Sequence, residues 1–521
     1  NPISERVGPN ASQSFPEFSE TTEFPDTRAD TVAASSISGM ANITDVEILG
    51  DDAAAISRHD AEPPTDAVPG LTIQLDPNAP LDANWTRRQF IANDLILKPV
   101  PLDRIVSLVQ LINRTFIASG YINSGLLIEG GLPRDNAPLK LRLISGRITS
   151  GSDGSSGLIV NWGPDGRNRL SDDFIVKRMP AIQTEPLNAI NLEREFRLLA
   201  ENPAIRTINA DLKPGTRPGE AQLTLTVDPQ PLADLYFLAA NSRSPSIGGE
   251  RYAIGGSFRN ALRPGDILSA ELGRTEDDYD LVAGYETPFI GTRTSLNLRG
   301  GFNNAAVIDP QLLALQISAS DWHVDGGLSH ILQQRPLSPR RSGGGWQSAR
   351  TIRVGLNVAH RQSTTKLFGQ RFSFSPGAVN GRTKYTVLRL SSDLVQRGID
   401  TVFAVSLTAT QGLEGTRANI PGLVAPDEIF RAMRAQISYA RRLNDQGLEL
   451  RARLAGPWAD GILYSGERFS AGGLQTVRGY RETLILSDTG AIGSMELAQS
   501  FSLSGNDASR NRFDPGRFSA A

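Results

Sequence analysis

The chain has 521 residues, about three domains' worth, and its 39% hydrophobic and 21% charged content is enough to fold. Its formal charge of -3 gives no basic excess for nucleic acid, and the absence of cysteine excludes disulfides, thiolate metal sites and cysteine nucleophiles. The four histidines, His59, His323, His330 and His360, fall in no metal-ligand spacing, so neither a metal nor a cofactor is expected.

Residues 1–70 are rich in Ser, Thr, Pro, Asp and Glu and poor in large apolar side chains. They are expected to form a low-complexity segment with a weak helical tendency around Val46–Arg58. At Leu71 the pattern changes. "LTIQLD" alternates like a short strand, and a helix is expected near Trp85–Asn93. In "PLDRIVSLVQLINRTFIASGYI", Leu102, Ile105, Val109, Ile112 and Phe116 recur at helical spacing between Pro101 and Gly120, which predicts an amphipathic helix. "YINSGLLIEG" and "LKLRLISGRI" then read as two strands, completing a β-α-α-β-β order.

The stretch "TSGSDGSSG" marks a boundary, and the same order repeats beyond it. "LIVNWG" reads as a strand, "LSDDFIVKRM" as a short helix capped by Ser171, and "LNAINLEREFRLLAENP" as a longer helix. "IRTINADLKPG" and "EAQLTLTVDPQ" follow as paired strands. Two small modules, 71–150 and 151–231, therefore stand in tandem.

Beyond Pro231 the helical period disappears and period-two alternation continues through residues 232–521. Tyr252, Ile254 and Phe258 alternate with small or charged residues; Ile352, Val354, Leu356 and Val358 oppose Arg353 and Asn357; Phe403, Val405 and Leu407 oppose Ala404, Ser406 and Thr408. A soluble sandwich would bury the apolar face, whereas an outer-membrane barrel would turn it to lipid and the charged face to a wet interior. Many successive strands without helices, and arginines recurring on the opposite face, favour the barrel, whose closed sheet satisfies the backbone that lipid cannot.

Late in this region stands "FSAGGLQTVRGYRETLILSDTGAIGSMEL". Its Gly472, Gly473, Val477, Arg478, Gly479 and Tyr480, followed by Asp488, Gly490, Glu496 and Leu497, resemble the signature of the outer-membrane transporters of two-partner secretion, the TpsB family of haemolysin activation and secretion proteins. "INRTFIASGYI" is similar to the end of the family's first POTRA helix, and "NSRSPSIGGERYAIGGSFRNALRPGDIL" to its first barrel hairpin. The resemblance implies two POTRA modules in the periplasm before a sixteen-stranded barrel in the bacterial outer membrane. It also implies a monomeric, non-enzymatic pore in lipid that passes an unfolded exoprotein, with a plug helix near the N-terminus. The loop bearing Arg478 would fold into the lumen and meet an aspartate, for which Asp514 in "RFDPGRF" is the candidate. Substrate would add as a strand beside the first amphipathic helix, in a groove lined by Ile105, Val109, Ile112, Phe116 and Tyr121. Because sixteen strands need more than the residues after 232, the last strands are expected to be missing. The competing readings are an outer-membrane insertase and a soluble β-rich adhesin or binding protein; no G-x-S-x-G or P-loop supports an enzyme.

Overall fold

The computed structural model describes residues 39–50, 68–75, 81–132, 136–149, 157–164, 166–241, 247–276, 278–340, 344–418, 424–444, 447–473, 476–480, 484–502 and 517–520. The chain divides into two compact units, Asn1–Arg167 with Ser171–Pro229 and Asn168–Leu170 with Gln230–Ala521.

In the first unit the order is β1 (Met40–Leu49), α1 (Ala83–Ala92), β2 (Pro99–Pro101), α2 (Leu102–Ala118), β3 (Gly125–Ile128) and β4 (Ala137–Ile144). The sheet order is β2-β1-β4-β3, with β1 and β4 parallel. The apolar stripe of α2 forms the centre of the core: Ile105, Leu108, Ile112 and Phe116 are fully buried, and Trp85 of α1 meets Phe116 edge-on at 6.0 Å. Each such side chain contributes about 1.5–3 kcal/mol by leaving water.

The opening strand is not where the sequence places it. Met40–Leu49 is a strand that buries Ala41, Ile43 and Val46, so the first module reaches back through the boundary set at residue 70, and Val46–Leu49 is not helical. Polar Asn42, Thr44, Asp45 and Glu47 dilute its apolar signal. Leu71–Leu75 fails as a strand because side-chain amides of α1 and its cap take its backbone groups. Thr72 N donates to Asn93 Oδ1 and Asn93 Nδ2 to Thr72 O, both at 2.8 Å. Gln74 N likewise donates to Gln89 Oε1 at 2.8 Å, and Gln74 O accepts from Gln89 Nε2 and Trp85 Nε1 at 3.0 Å. The remainder of the expected Val46–Arg58 helix, and any plug helix within 1–38, lie outside the described residues.

The second module follows its predicted order, β6 (Leu158–Trp162), α3 (Asp172–Val176), α4 (Ala189–Ala200), β7 (Ile205–Pro214) and β8 (Glu220–Pro229), but gains a strand before it: β5 (Arg147–Ile148), the end of the strand expected to close the first module, pairs with β8 instead. Ser171 caps α3 by accepting from Phe174 N, and Asn188 caps α4 by accepting from Ile190 and Asn191 N. β8 is antiparallel to β7 and parallel to β5 and β6.

Backbone and amide hydrogen bonds join the two modules within this unit. Ala189 N donates to Gly120 O at 2.8 Å, Leu187 N to Gly146 O at 2.6 Å, Asn188 Nδ2 to Ser119 O at 3.1 Å and Asn123 Nδ2 to Gly219 O at 2.9 Å. Gly120 holds φ +90°, and a Cβ there would collide with the Ile190 side chain and stand 2.8 Å from Asn188 Oδ1. Gly120→Ala is therefore expected to lower the stability of this unit by about 1–2 kcal/mol, through left-handed strain alone. An earlier urea midpoint for its tryptophan fluorescence transition is the check.

The second unit is one antiparallel sheet joined in chain order. It comprises β9 (Ala233–Ala240), β10 (Arg251–Arg259), β11 (Ile267–Thr275), β12 (Asp278–Ile290), β13 (Thr294–Ala306) and β14 (Ser318–Arg335). A small pair, β15 (Ser338–Pro339) and β16 (Trp346–Gln347), precedes β17 (Ala349–Leu367), against which β18 (Gln370–Arg371) adds a short strand. β19 (Arg382–Arg397), β20 (Thr401–Gly415), β21 (Arg431–Arg442) and β22 (Leu448–Ala459) continue the sheet. A second small pair, β23 (Phe469–Ala471) and β24 (Ile485–Ser487), stands before β25 (Ile492–Ser502) and β26 (Arg517–Ala520). Among the described residues, thirteen strands from β9 to β26 lie on the main path, not the sixteen of the family pattern.

Register separates the two faces. One row runs Leu296, Leu328, Leu356, Leu390, Ala409, Met433, Trp458 across seven strands. Within it Leu328, Leu356, Leu390, Met433 and Trp458 are 41%, 51%, 58%, 50% and 56% exposed. The row beside it, on the other face, runs Asn297, Gly327, Asn357, Arg389, Thr410. On that face Arg299 opposes Asp325, Arg353 opposes Asp393 and Arg451 opposes Glu496. A continuous exposed apolar belt backed by paired charges is the polarity of a barrel in lipid, inverted from that of a soluble sandwich.

Candidate functional site

The segment between β22 and β25 returns onto the charged face of the sheet. Its base is held by packing. Tyr464 is buried, stacks on Tyr385 of β19 with ring centroids 4.7 Å apart and planes at 11°, meets Phe430 edge-on at 6.1 Å, and donates its hydroxyl to Thr416 O at 2.9 Å. Leu463, Val387 and Ala359 complete this cluster. Asp488 closes the base from the other arm, accepting from Leu463 N at 3.0 Å and Arg468 Nε at 3.1 Å.

Next to Tyr464, the Ser465–Glu467 turn directs a carboxylate into the wall. Glu467, only 8% exposed, accepts from Arg389 Nη2 at 2.7 Å and from the Tyr385 hydroxyl at 3.2 Å, with Arg361 Nε at 3.8 Å. Arg389 also faces Asp325 at 3.4 Å, and Arg434 Nη2 donates to the Glu467 carbonyl at 3.4 Å. Charges this sheltered from water are expected to come as neutralised sets, because an unpaired one pays its full desolvation cost.

Above the base, β23 and β24 form a hairpin. Gly472 and Gly473 hold φ values of +113° and +92°, which an L side chain rarely adopts. Thr476 Oγ1 both accepts from Gly472 N and donates to Gly472 O at 2.8 Å, and Gly473 N donates to Tyr480 O at 3.1 Å. This presents Arg478, whose Nη2 lies 2.7 Å from Glu496 Oε1 on β25.

Thus the arginine finds a carboxylate on the charged face, Glu496; the expected Asp514 lies outside the described residues. Period two in "IGSMEL" places Glu496 opposite Arg451 and so on that face; the signal was present in the strand itself. Val477 and Tyr480 are exposed beside Arg478. Glu467, Tyr464, Tyr385, Arg361 and Arg389 escape sequence reading, because their association joins residues up to 106 apart (467 minus 361) with no local pattern.

The groove expected in the first module does not form from its assigned residues. Ile105, Val109, Ile112, Phe116 and Tyr121 are all buried in the core and cannot line an open surface. Helical periodicity marks a buried stripe, and the same stripe cannot also receive a ligand. The neighbouring sheet edge is occupied as well: Asn113 of α2 donates through Nδ2 to Leu126 O at 3.0 Å and accepts from Leu126 N at 2.7 Å, taking the place an added strand would use on β3.

Among the described residues no group of acidic and histidine side chains is placed to hold a metal ion, and no helix there is long and apolar enough to cross a membrane. Residues 347–520 match the model of the haemolysin secretion/activation protein family ShlB/FhaC/HecB. No curated protein sequence matches the chain. In fold, the chain is similar to CdiB from Escherichia coli, at 19% identity and a TM-score of 0.57 over 93% of this chain and 79% of that one. It is also similar to CdiB from Acinetobacter baumannii, at 14% identity and a TM-score of 0.53 over 90% and 78%.

Proposed function

We infer, from the match of residues 347–520 to the haemolysin secretion/activation protein family and from the fold, that this chain is a member of that family and an outer-membrane β-barrel pore exporting a partner protein by two-partner secretion. The observation that carries this reading is the loop itself. A glycine-turned hairpin returns onto the charged face of a sheet whose other face is apolar, and its Arg478 pairs with Glu496 there.

The partner would arrive unfolded in the periplasm and be captured by the two βααββ modules. Main-chain hydrogen bonds to a sheet edge suit an extended segment of any sequence. Since Asn113 covers the β3 edge, capture falls to the ten-residue β7 of the second module. The segment then passes along the charged wall, where paired carboxylates and guanidiniums offer hydration without a strong net field. Folding of the exported chain outside supplies the direction. The pore works as a monomer in lipid, and the family is one of transporters, not of enzymes.

Planar-bilayer recording tests the reading. The full chain is expected to form ion-conducting channels whose current falls when a permanently unfolded polypeptide, such as reduced and carboxymethylated lactalbumin, is added on the side of the modules. A chain that inserts yet never conducts would remove the pore.

The same recording checks the loop contact. Arg478 is 53% exposed, so its pair with Glu496 contributes no more than about 1 kcal/mol. Arg478→Glu alone and Glu496→Arg alone are each expected to shift the balance of channel substates several-fold, and the double reversal to restore it.

A further inference from the structure

We propose that Glu467 is a positioning residue that pins the base of the returning loop to the wall and thereby sets how much of the pore the loop fills. The proposal rests on the pore reading but is carried by a separate set of contacts. Glu467 engages β17 through Arg361 and β19 through Arg389 and Tyr385, while its carbonyl engages β21 through Arg434. Three wall strands, the adjacent β17 and β19 and, one strand further on, β21, therefore converge on one loop residue.

The charge balance makes the pin specific. Arg361 Nε is buried and has no hydrogen bond among the described residues, and the carboxylate it approaches is Glu467. Arg389 divides its two nitrogens between Glu467 and Asp325. Neutralising Glu467 would leave Arg361 without the carboxylate it approaches and Arg389 with Asp325 alone, removing the charge attraction that holds the loop base to the wall. A purely packing role would not produce that, because the Tyr464 stack on Tyr385 needs no charge and survives the change. Close approach is already built in: a Cβ on Gly466 would stand 2.5 Å from the Tyr385 hydroxyl.

The chain's lack of cysteine makes a single nitroxide label unambiguous. With Ser470→Cys carrying the label on β23, the full chain is reconstituted in liposomes and compared with the same chain bearing Glu467→Gln, Glu467→Asp, or Arg361→Gln with Arg389→Gln. In Glu467→Gln the ratio of immobilised to mobile label is expected to fall about tenfold, as for loss of one charge-assisted contact, and Glu467→Asp is expected to recover much of it. Removing the two arginines is expected to release the label as well, from the wall side, and serves if Glu467→Gln fails to fold. Labels that stay immobile in Glu467→Gln, or in the double arginine variant, overturn the pin whether or not the channels conduct. If the label is released but neither chain conducts in planar bilayers, the pin stands and the pore reading falls. Release together with larger or less stable conductance supports both.

Discussion

Phe116→Ala is expected to destabilise the first module by about 3–5 kcal/mol, a large part of the margin of a small folded unit. Phe116 is completely buried at the end of α2, where it closes against Trp85 and sits among Ile105, Leu108 and Ile112. The cavity left behind would border aromatic and β-branched side chains that cannot collapse to fill it. Limited trypsin digestion of the full chain in detergent is the measurement: new early cuts are expected between residues 81 and 149 while the sheet beyond residue 232 stays protected. An unchanged digestion pattern would mean that the α2 stripe is not the core, and would reopen the ligand groove first assigned to the same residues.

A second large effect is expected on the outer face of the sheet. Leu356→Arg places a guanidinium in the middle of the leucine belt, between Leu328 and Leu390. A cation at the lipid midplane of a barrel costs about 2–4 kcal/mol, whereas Asn357→Arg, one residue on, would add a charge to the wet face at the smaller cost of a like-charge pair with Arg389 opposite, about 0.2–1 kcal/mol. Refolding into liposomes is expected to drop sharply for Leu356→Arg and to change little for Asn357→Arg. In a soluble sandwich the belt would be the core, so Leu356→Arg would then destabilise the protein in the absence of lipid.

Local periodicity carried most of the architecture. The α2 stripe, the Ser171 cap, the second βααββ order and the alternating strands of the sheet all rest on neighbours within one or two turns of chain, and the structure contains them. The first strand was missed for an energetic reason. Met40–Leu49 needs only three buried side chains because it lies between β2 and β4, while Leu71–Leu75 alternates well but gives its backbone to Asn93 and Gln89. Whether a segment pairs with a strand or with side-chain amides is decided by tertiary context that alternation does not encode.

The site divides in the same way. Gly472, Gly473 and Arg478 stood out in sequence because a glycine-turned cation is unusual by itself. Its carboxylate partner among the described residues is Glu496, which the parity of β25 sets on the charged face, while Asp514, the aspartate that the resemblance points to, lies outside them. Glu467 left no local mark at all. A single glutamate after a Tyr-Ser-Gly turn is unremarkable until the fold brings Arg361, Arg389 and Tyr385 around it.

The most direct test of the account is the lipid or water exposure of consecutive positions along β17. Single cysteines replacing residues 353–358, each spin-labelled in liposomes, would be exposed in turn to oxygen, which concentrates in lipid, and to a water-soluble nickel chelate. The account predicts strong oxygen broadening at 354, 356 and 358 and weak broadening at 353, 355 and 357, following the exposed and charged faces of the strand. Equal oxygen exposure at all six positions, or nickel access concentrated at 354, 356 and 358, would contradict a barrel that turns its leucine belt to the membrane.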